Sequence, residues 1–177
     1  EKPRGERCRG SQSGIYVLKG KGDGDMALRS IRTEGDEVLR KESKKVEKWD
    51  RRLEMLIEDM FDTMYDANGC GLAAVQVGVL KQVIVIDTGE PGEKLVLINP
   101  EIIATEGEIC SVEGCLSIPG KQGYVNRPEK VTVRALNEKG EEYVRTGTGL
   151  LAKAFCHEID HLHGILYSDK VVQWENG

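Results

Sequence analysis

The sequence predicts an α+β fold, with short, mostly antiparallel sheets wrapped around a central helix. Three observations lead there. An amphipathic helical pattern comes first, several short β-rich runs follow, and a second apolar-periodic helix lies near the end. The 177 residues fit one domain, and a domain of that size can bury a substantial core. No internal repeat is visible.

Each element has its own signature. Trp49 to Met64 sets Leu53, Leu56, Ile57, Met60, Phe61 and Met64 on one helical face, with Asp50 placed to cap the start. That stripe reads as core packing. Val83 to Ile86 is a short buried strand. Leu95 to Thr105 is a second β-rich run, in which Asn99-Pro100 predicts a bend or an edge. Val131 to Leu136 and Glu141 to Arg145 form a hairpin about Asn137-Glu138-Lys139-Gly140. Leu150, Leu151, Ala154, Phe155, Ile159 and Leu162 then repeat near helical spacing, between a capping Thr148 and a Gly164 suited to a left-handed turn.

The last helix carries the chemistry. His157-Glu158-Ile159-Asp160-His161 fits the pattern H-E-x-x-H. Positions i and i+4 share a helical face, so both imidazoles can reach one metal ion. Glu158, turned by about 100° around the axis, can reach a water at that ion without being a ligand. This is the layout of a metal-assisted hydrolase, and it makes the helix a metal-binding one. The bland alternative is a core helix that happens to carry two of the chain's three histidines.

A catalytic metal is usually held by three protein ligands with one position open. The chain follows the longer pattern H-E-x-x-H-x-x-G-x-x-H as far as Gly164, but Tyr167 occupies its final position. Glu175 is the only later glutamate, in a tail without helical pattern. The third ligand is therefore expected upstream. Cys115, in Glu113-Gly114-Cys115-Leu116-Ser117, is the best candidate, and a thiolate with two imidazoles suits Zn²⁺ or Fe²⁺. A lone cysteine is more often a small buried hydrophobe, and Cys8, Cys70, Cys110 and Cys156 are read that way.

Three segments together resemble the peptide deformylases. Gly69-Cys70-Gly71-Leu72-Ala73-Ala74-Val75-Gln76 is similar to the family's G-Φ-G-Φ-A-A-x-Q, Glu113 to Ser117 to its E-G-C-Φ-S, and His157 to His161 to its Q-H-E-x-D-H. The resemblance covers roughly residues 26–171. Two departures stand out: Cys156 occupies the position of the usual glutamine, and the chain ends as a short bacterial form without the long C-terminal helix would. Met26-Ala27-Leu28-Arg29 reads as the family's usual start. Residues 26–177 are thus expected to be the catalytic domain. The Gly-, Lys- and Arg-rich residues 1–25 are expected to be a non-native or linker-like extension.

The resemblance implies a hydrolase that removes the N-formyl group from the N-terminal formyl-methionine of nascent polypeptides, releasing formate. It implies one divalent metal on Cys115, His157 and His161, with Fe²⁺ in the cell and Zn²⁺, Ni²⁺ or Co²⁺ in preparations. Glu158 would take the attacking water's proton and pass it to the departing amine. Gln76 and the backbone N–H of Leu116 would face the developing oxyanion. Gly69 and Gly71 would let the substrate add as a strand. Cys70, Leu150, Ala154 and His157 would form the methionine pocket, with Leu150 and Ala154 on one helical face. Asp160 would pair with Arg127 to hold the metal helix. Without the resemblance, Gln76 reads as a surface glutamine.

Other features bound the partners. The net charge of −5 gives no global argument for nucleic-acid binding. Lys41, Lys44, Lys45 and Lys48 read as a solvated face. No run of 18 apolar residues exists to span a membrane. Five cysteines without a disulfide-framework spacing favour a reducing compartment, hence the cytoplasm, and the substrate class implies transient ribosome association. Two rivals remain: a metalloprotease cutting internal bonds, and a structural zinc module closed by Cys110 as fourth ligand.

Overall fold

The computed structural model describes residues 27–175. The expectation for residues 1–25 and the reading of Cys8 lie outside them. In chain order the elements are α1 (Arg51–Asp66), β1 (Gly71–Ala73), β2 (Val83–Asp87), β3 (Lys94–Glu106), β4 (Ile109–Cys115), β5 (Ile118–Arg127), β6 (Lys130–Leu136), β7 (Glu142–Thr148), α2 (Gly149–Leu162) and β8 (Val171–Trp174). Short 3-10 turns occupy Glu37–Arg40, Ala74–Val77 and Tyr167–Asp169.

Strands β1-β2-β3-β6-β7 form one sheet and β4-β5-β8 another. Every pairing between these strands is antiparallel. The predicted α+β class and the central metal-binding helix both hold. Strand alternation explains why β2 is apolar throughout. Val83 and Val85 pack with Leu53, Leu56, Met60 and Met64 of α1. Ile84 and Ile86 pack with Leu151, Phe155, Ile159 and Leu162 of α2. The five-stranded sheet thus lies between the two helices, and α2 packs across β1, β6 and β7.

Local chemistry sets the boundaries. Asp50 accepts the Leu53 N–H at 3.0 Å, so α1 begins at Arg51. Trp49 therefore lies outside the helix, and its Nε1 donates to the Asn137 carbonyl in the β6–β7 turn. In β3, Asn99 takes φ +50 and the register with β6 shifts between Ile98 and Glu101, which is the bend its Asn-Pro pair predicted. Thr148 occupies the N-cap position of α2, but its side chain makes no cap hydrogen bond. At the other end Gly164 takes φ +70, and a Cβ there would stand 2.5 Å from the Arg40 carbonyl oxygen.

Four strands escaped the sequence reading: β1, β4, β5 and β8. They are short, or carry Gly and Pro, and expose much of their length, so apolar alternation is weak in them. The tail that showed no helical pattern is in fact β8, paired to β5 through Gly123 and Trp174. No helix of the described residues is long and apolar enough to cross a membrane.

Candidate active site

Two elements deliver three ligand atoms to one point. His157 and His161 project from one face of α2, and Cys115 ends β4. Their donor atoms all lie within 4.8 Å of one another. Cys115 Sγ is 3.4 Å from His161 Nε2, and the two imidazole centroids are 5.0 Å apart, edge to face. One sulfur and two ring nitrogens, buried and converging, fit a divalent metal of the zinc or iron type. Cys110 is not in the cluster, which weakens the structural-zinc reading.

A chain of charges orients this set. Glu113 Oε1 lies 2.9 Å from His157 Nδ1, which leaves Nε2 to face the site. Arg127 donates to both Glu113 oxygens, at 2.8 and 3.1 Å, and to Asp160 at 2.7 Å. Lys170 Nζ reaches Asp160 at 3.0 Å. The expected Arg127–Asp160 pair is therefore present, within a longer network that the sequence reading did not contain. Burial alone would raise the Glu113 carboxyl, but the His157 and Arg127 hydrogen bonds prevail and hold it down at about 2. Burial lowers the Arg127 pKa, and its two carboxylate partners more than reverse that.

The imidazoles differ. Burial and the neighbouring His157 hold His161 well below its ordinary value, in the neutral form that a ligand requires. Burial also pushes His157 down, but its bonds to Cys115 and Glu113 raise it overall. Tyr167 stacks on His157 with centroids 5.9 Å apart, its hydroxyl donating to the Lys121 carbonyl at 3.2 Å.

Glu158 is 4% exposed, and burial pushes its carboxyl up to about 7. Its Oε1 lies 3.9 Å from His157 Nε2, and its Oε2 has no hydrogen-bond partner among the described residues. A buried carboxylate oxygen without a partner beside the ligand cluster is suited to meeting a substrate or solvent proton. Gly71 makes room for it, since a Cβ there would be 2.8 Å from Glu158 Oε1. Gly69 makes room for Leu116, whose Cδ1 would be 2.7 Å from an added Cβ. Both glycines therefore have a packing reason beyond the approach of a peptide backbone.

Gln76 is 1% exposed, which overturns its reading as a surface residue. Its Oε1 accepts the Ala73 N–H at 3.0 Å, and its Nε2 donates to Ser117 Oγ at 3.0 Å and points at Cys115 Sγ, 3.6 Å away. The amide is thereby fixed with its donors toward the ligand sulfur. Leu116 follows that sulfur directly in the chain. β1 forms the outer edge of the five-stranded sheet and puts Gly71 on that edge, while just before it the Gly69 N–H donates to the Met64 carbonyl and the Cys70 carbonyl accepts the Asp87 N–H, both at 2.9 Å. Cys70 is half-buried, Ala154 is buried and Leu150 is 38% exposed at the rim. Cys156 is buried in the core on α2 itself, and burial pushes its thiol up.

Glu113, Ser117 and Tyr167 were missed as functional positions. Glu113 and Ser117 flank Cys115 by two residues on either side, a signal that could have been used. Nothing local marks Tyr167.

Comparison with known proteins agrees with this geometry. Residues 28–177 match the family model described as Polypeptide deformylase. The chain is 60% identical over 150 residues to Peptide deformylase 1 of Clostridium acetobutylicum, covering 85% of this chain and 99% of that protein. Among solved structures it is similar to a peptide deformylase from Legionella pneumophila, with TM-score 0.80 and 51% identity, over 82% of this chain and 86% of that one. It is also similar to a Synechococcus elongatus peptide deformylase in complex with actinonin, with TM-score 0.77 and 46% identity, over 81% and 80% of the two chains.

Proposed function

This chain belongs to the polypeptide deformylase family, and from that premise we propose how its residues act. The reaction is hydrolytic removal of the N-formyl group from the N-terminal formyl-methionine of nascent polypeptides, with release of formate. The observation that carries the assignment of roles is the convergence of Cys115, His157 and His161 within 4.8 Å, with Glu158 buried beside them.

Cys115, His157 and His161 hold one divalent ion. When bound, that ion supplies Lewis acidity toward the formyl oxygen and makes hydroxide available near neutral pH. The donor set by itself suits Zn²⁺ or Fe²⁺, and the family resemblance favours Fe²⁺ in the cell, with Zn²⁺, Ni²⁺ or Co²⁺ as replacements. The Glu113–Arg127–Asp160 network keeps His157 and α2 in register with Cys115.

The formylated peptide adds as a strand along the outer edge of β1, pairing with the main chain of Gly71 and passing Gly69 and Cys70. Its methionine side chain enters the space lined by Cys70, Leu150, Ala154 and His157. The formyl oxygen, as it gains negative charge, meets Gln76 Nε2 and the Leu116 N–H. Gln76 is oriented for this by the Ala73 N–H on its Oε1, and the Nε2 hydrogen that points at Cys115 is the one that turns to the oxyanion. Glu158 accepts the proton of the attacking water and delivers it to the amine nitrogen as the C–N bond breaks. Residues 26–177 form the catalytic domain, working in the cytoplasm with transient contact to the ribosome, where the substrates emerge.

The test is formate release from a formyl-methionyl tripeptide by anaerobic Fe²⁺- or Ni²⁺-loaded protein. Glu158→Gln should lower kcat by about 10²- to 10⁴-fold while keeping one metal per chain. Cleavage of an unformylated peptide would favour the metalloprotease instead. Unchanged turnover in the variant would remove Glu158 from its role.

A further inference from the structure

We propose that Lys153 is a specificity-determining residue, favouring formyl-methionyl peptides whose third residue is acidic. The proposal rests on the deformylase reading above and deepens it. Lys153 lies on α2 between Leu150 and His157, three and four residues from each, beside Ala154. Residues at those spacings share one helical stripe. The stripe that faces the methionine pocket therefore carries a cation as well as apolar groups.

The structure holds that cation in place. Lys153 is half-buried, and its Nζ donates to the Val112 carbonyl on β4 at 2.9 Å. The ammonium is thus pinned between α2 and β4, three residues along the strand from Cys115. Among the described residues it makes no ion pair. An ammonium has three donors, so two remain to be used. Its field also reaches the pocket wall. Burial raises the Cys70 thiol, Glu158 raises it further, and His157 and Lys153 act in the opposite direction.

Strand geometry then selects a substrate position. Side chains alternate across an extended chain, so the first and third residues point to one side and the second to the other. With methionine in its pocket, the third side chain lies on the Lys153 side. A carboxylate at the third position can pair with the ammonium, a second cation is repelled, and the second position is indifferent to the charge.

The experiment compares kcat/KM for C-terminally amidated formyl-Met-Ala-Xaa-Ala and formyl-Met-Xaa-Ala-Ala peptides, with Xaa as Asp, Ala or Lys. At low salt the native protein should prefer Asp over Lys by about fivefold at the third position and by less than twofold (roughly) at the second. The preference should shrink as salt is added. It should fall to about one in Lys153→Met and persist in Lys153→Arg. Lys153→Gln, which keeps a donor for Val112 but no charge, replaces the Met variant if that one does not fold. Equal rates for Asp and Lys at the third position, or the same preference without the charge, would overturn the proposal. No turnover of the all-alanine peptide by metal-loaded protein would instead overturn the deformylase reading, and the proposal with it.

Discussion

Replacing Glu113 by glutamine should loosen the metal site and destabilise the fold together. The side chain is 3% exposed and accepts two Arg127 N–H groups at 2.8 and 3.1 Å, with His157 Nδ1 at 2.9 Å. Glutamine preserves the shape but presents an NH₂ group to partners that are themselves donors. Removing one member of a buried ion pair costs about 3–5 kcal/mol. The fall of the Glu113 pKa from 4.5 to about 2 corresponds to a similar figure, roughly 3 kcal/mol. Asp160 keeps its own bond to Arg127, so the lower end applies. That predicts a drop in Tm of about 6–12 °C for a chain of this length. The sign of the pH effect follows from the depressed pKa. The stabilisation is complete above the ordinary 4.5 and is lost as pH falls through about 2. The stability gap between native protein and variant should therefore close on acidification. Thermal unfolding of metal-free protein from pH 7 down to pH 2 reads this directly. Metal affinity, measured against a competing chelator, should fall about 10- to 100-fold. A variant within 2 °C (roughly) of native at pH 7 with unchanged metal affinity would refute the argument.

Other expectations follow from single contacts. Gly71→Ala places a methyl 2.8 Å from Glu158 Oε1, so the carboxylate must shift; kcat should fall at least about tenfold with metal content preserved, and native turnover would refute it. Gly164→Ala must hold φ +70 and approach the Arg40 carbonyl, so it should cost at least about 1–2 kcal/mol, and a Tm within a degree (roughly) of native would count against that account. The Fe²⁺ form should lose activity in air faster than the Ni²⁺ form, because oxygen attacks both the ion and the Cys115 thiolate; equal decay rates would show that the metal is not the sensitive partner.

The sequence by itself determined what one element can encode. Both helices, the buried β2, the bend at Asn99 and the β6–β7 hairpin all follow from periodicity or turn residues acting over a few positions. Within α2, the i, i+4 spacing put both histidines on one face and Glu158 beside them. Cys115 could be proposed by elimination, because a third ligand was needed and no downstream residue served. Gln76 was legible only through the family motif, since a lone glutamine carries no periodic signal. What the tertiary structure decided were the relations between elements. It set β1 at the edge of its sheet, paired the tail to β5, and carried Arg127 from the end of β5 between Glu113 and Asp160. It brought Tyr167 against His157 and Lys153 against Val112. These contacts join residues far apart in the chain and depend on how sheets and helix pack, which no local pattern specifies. The same packing took the carboxylate of Glu158 out of water and pushed its pKa up to about 7, turning an ordinary glutamate into a group suited to moving a proton.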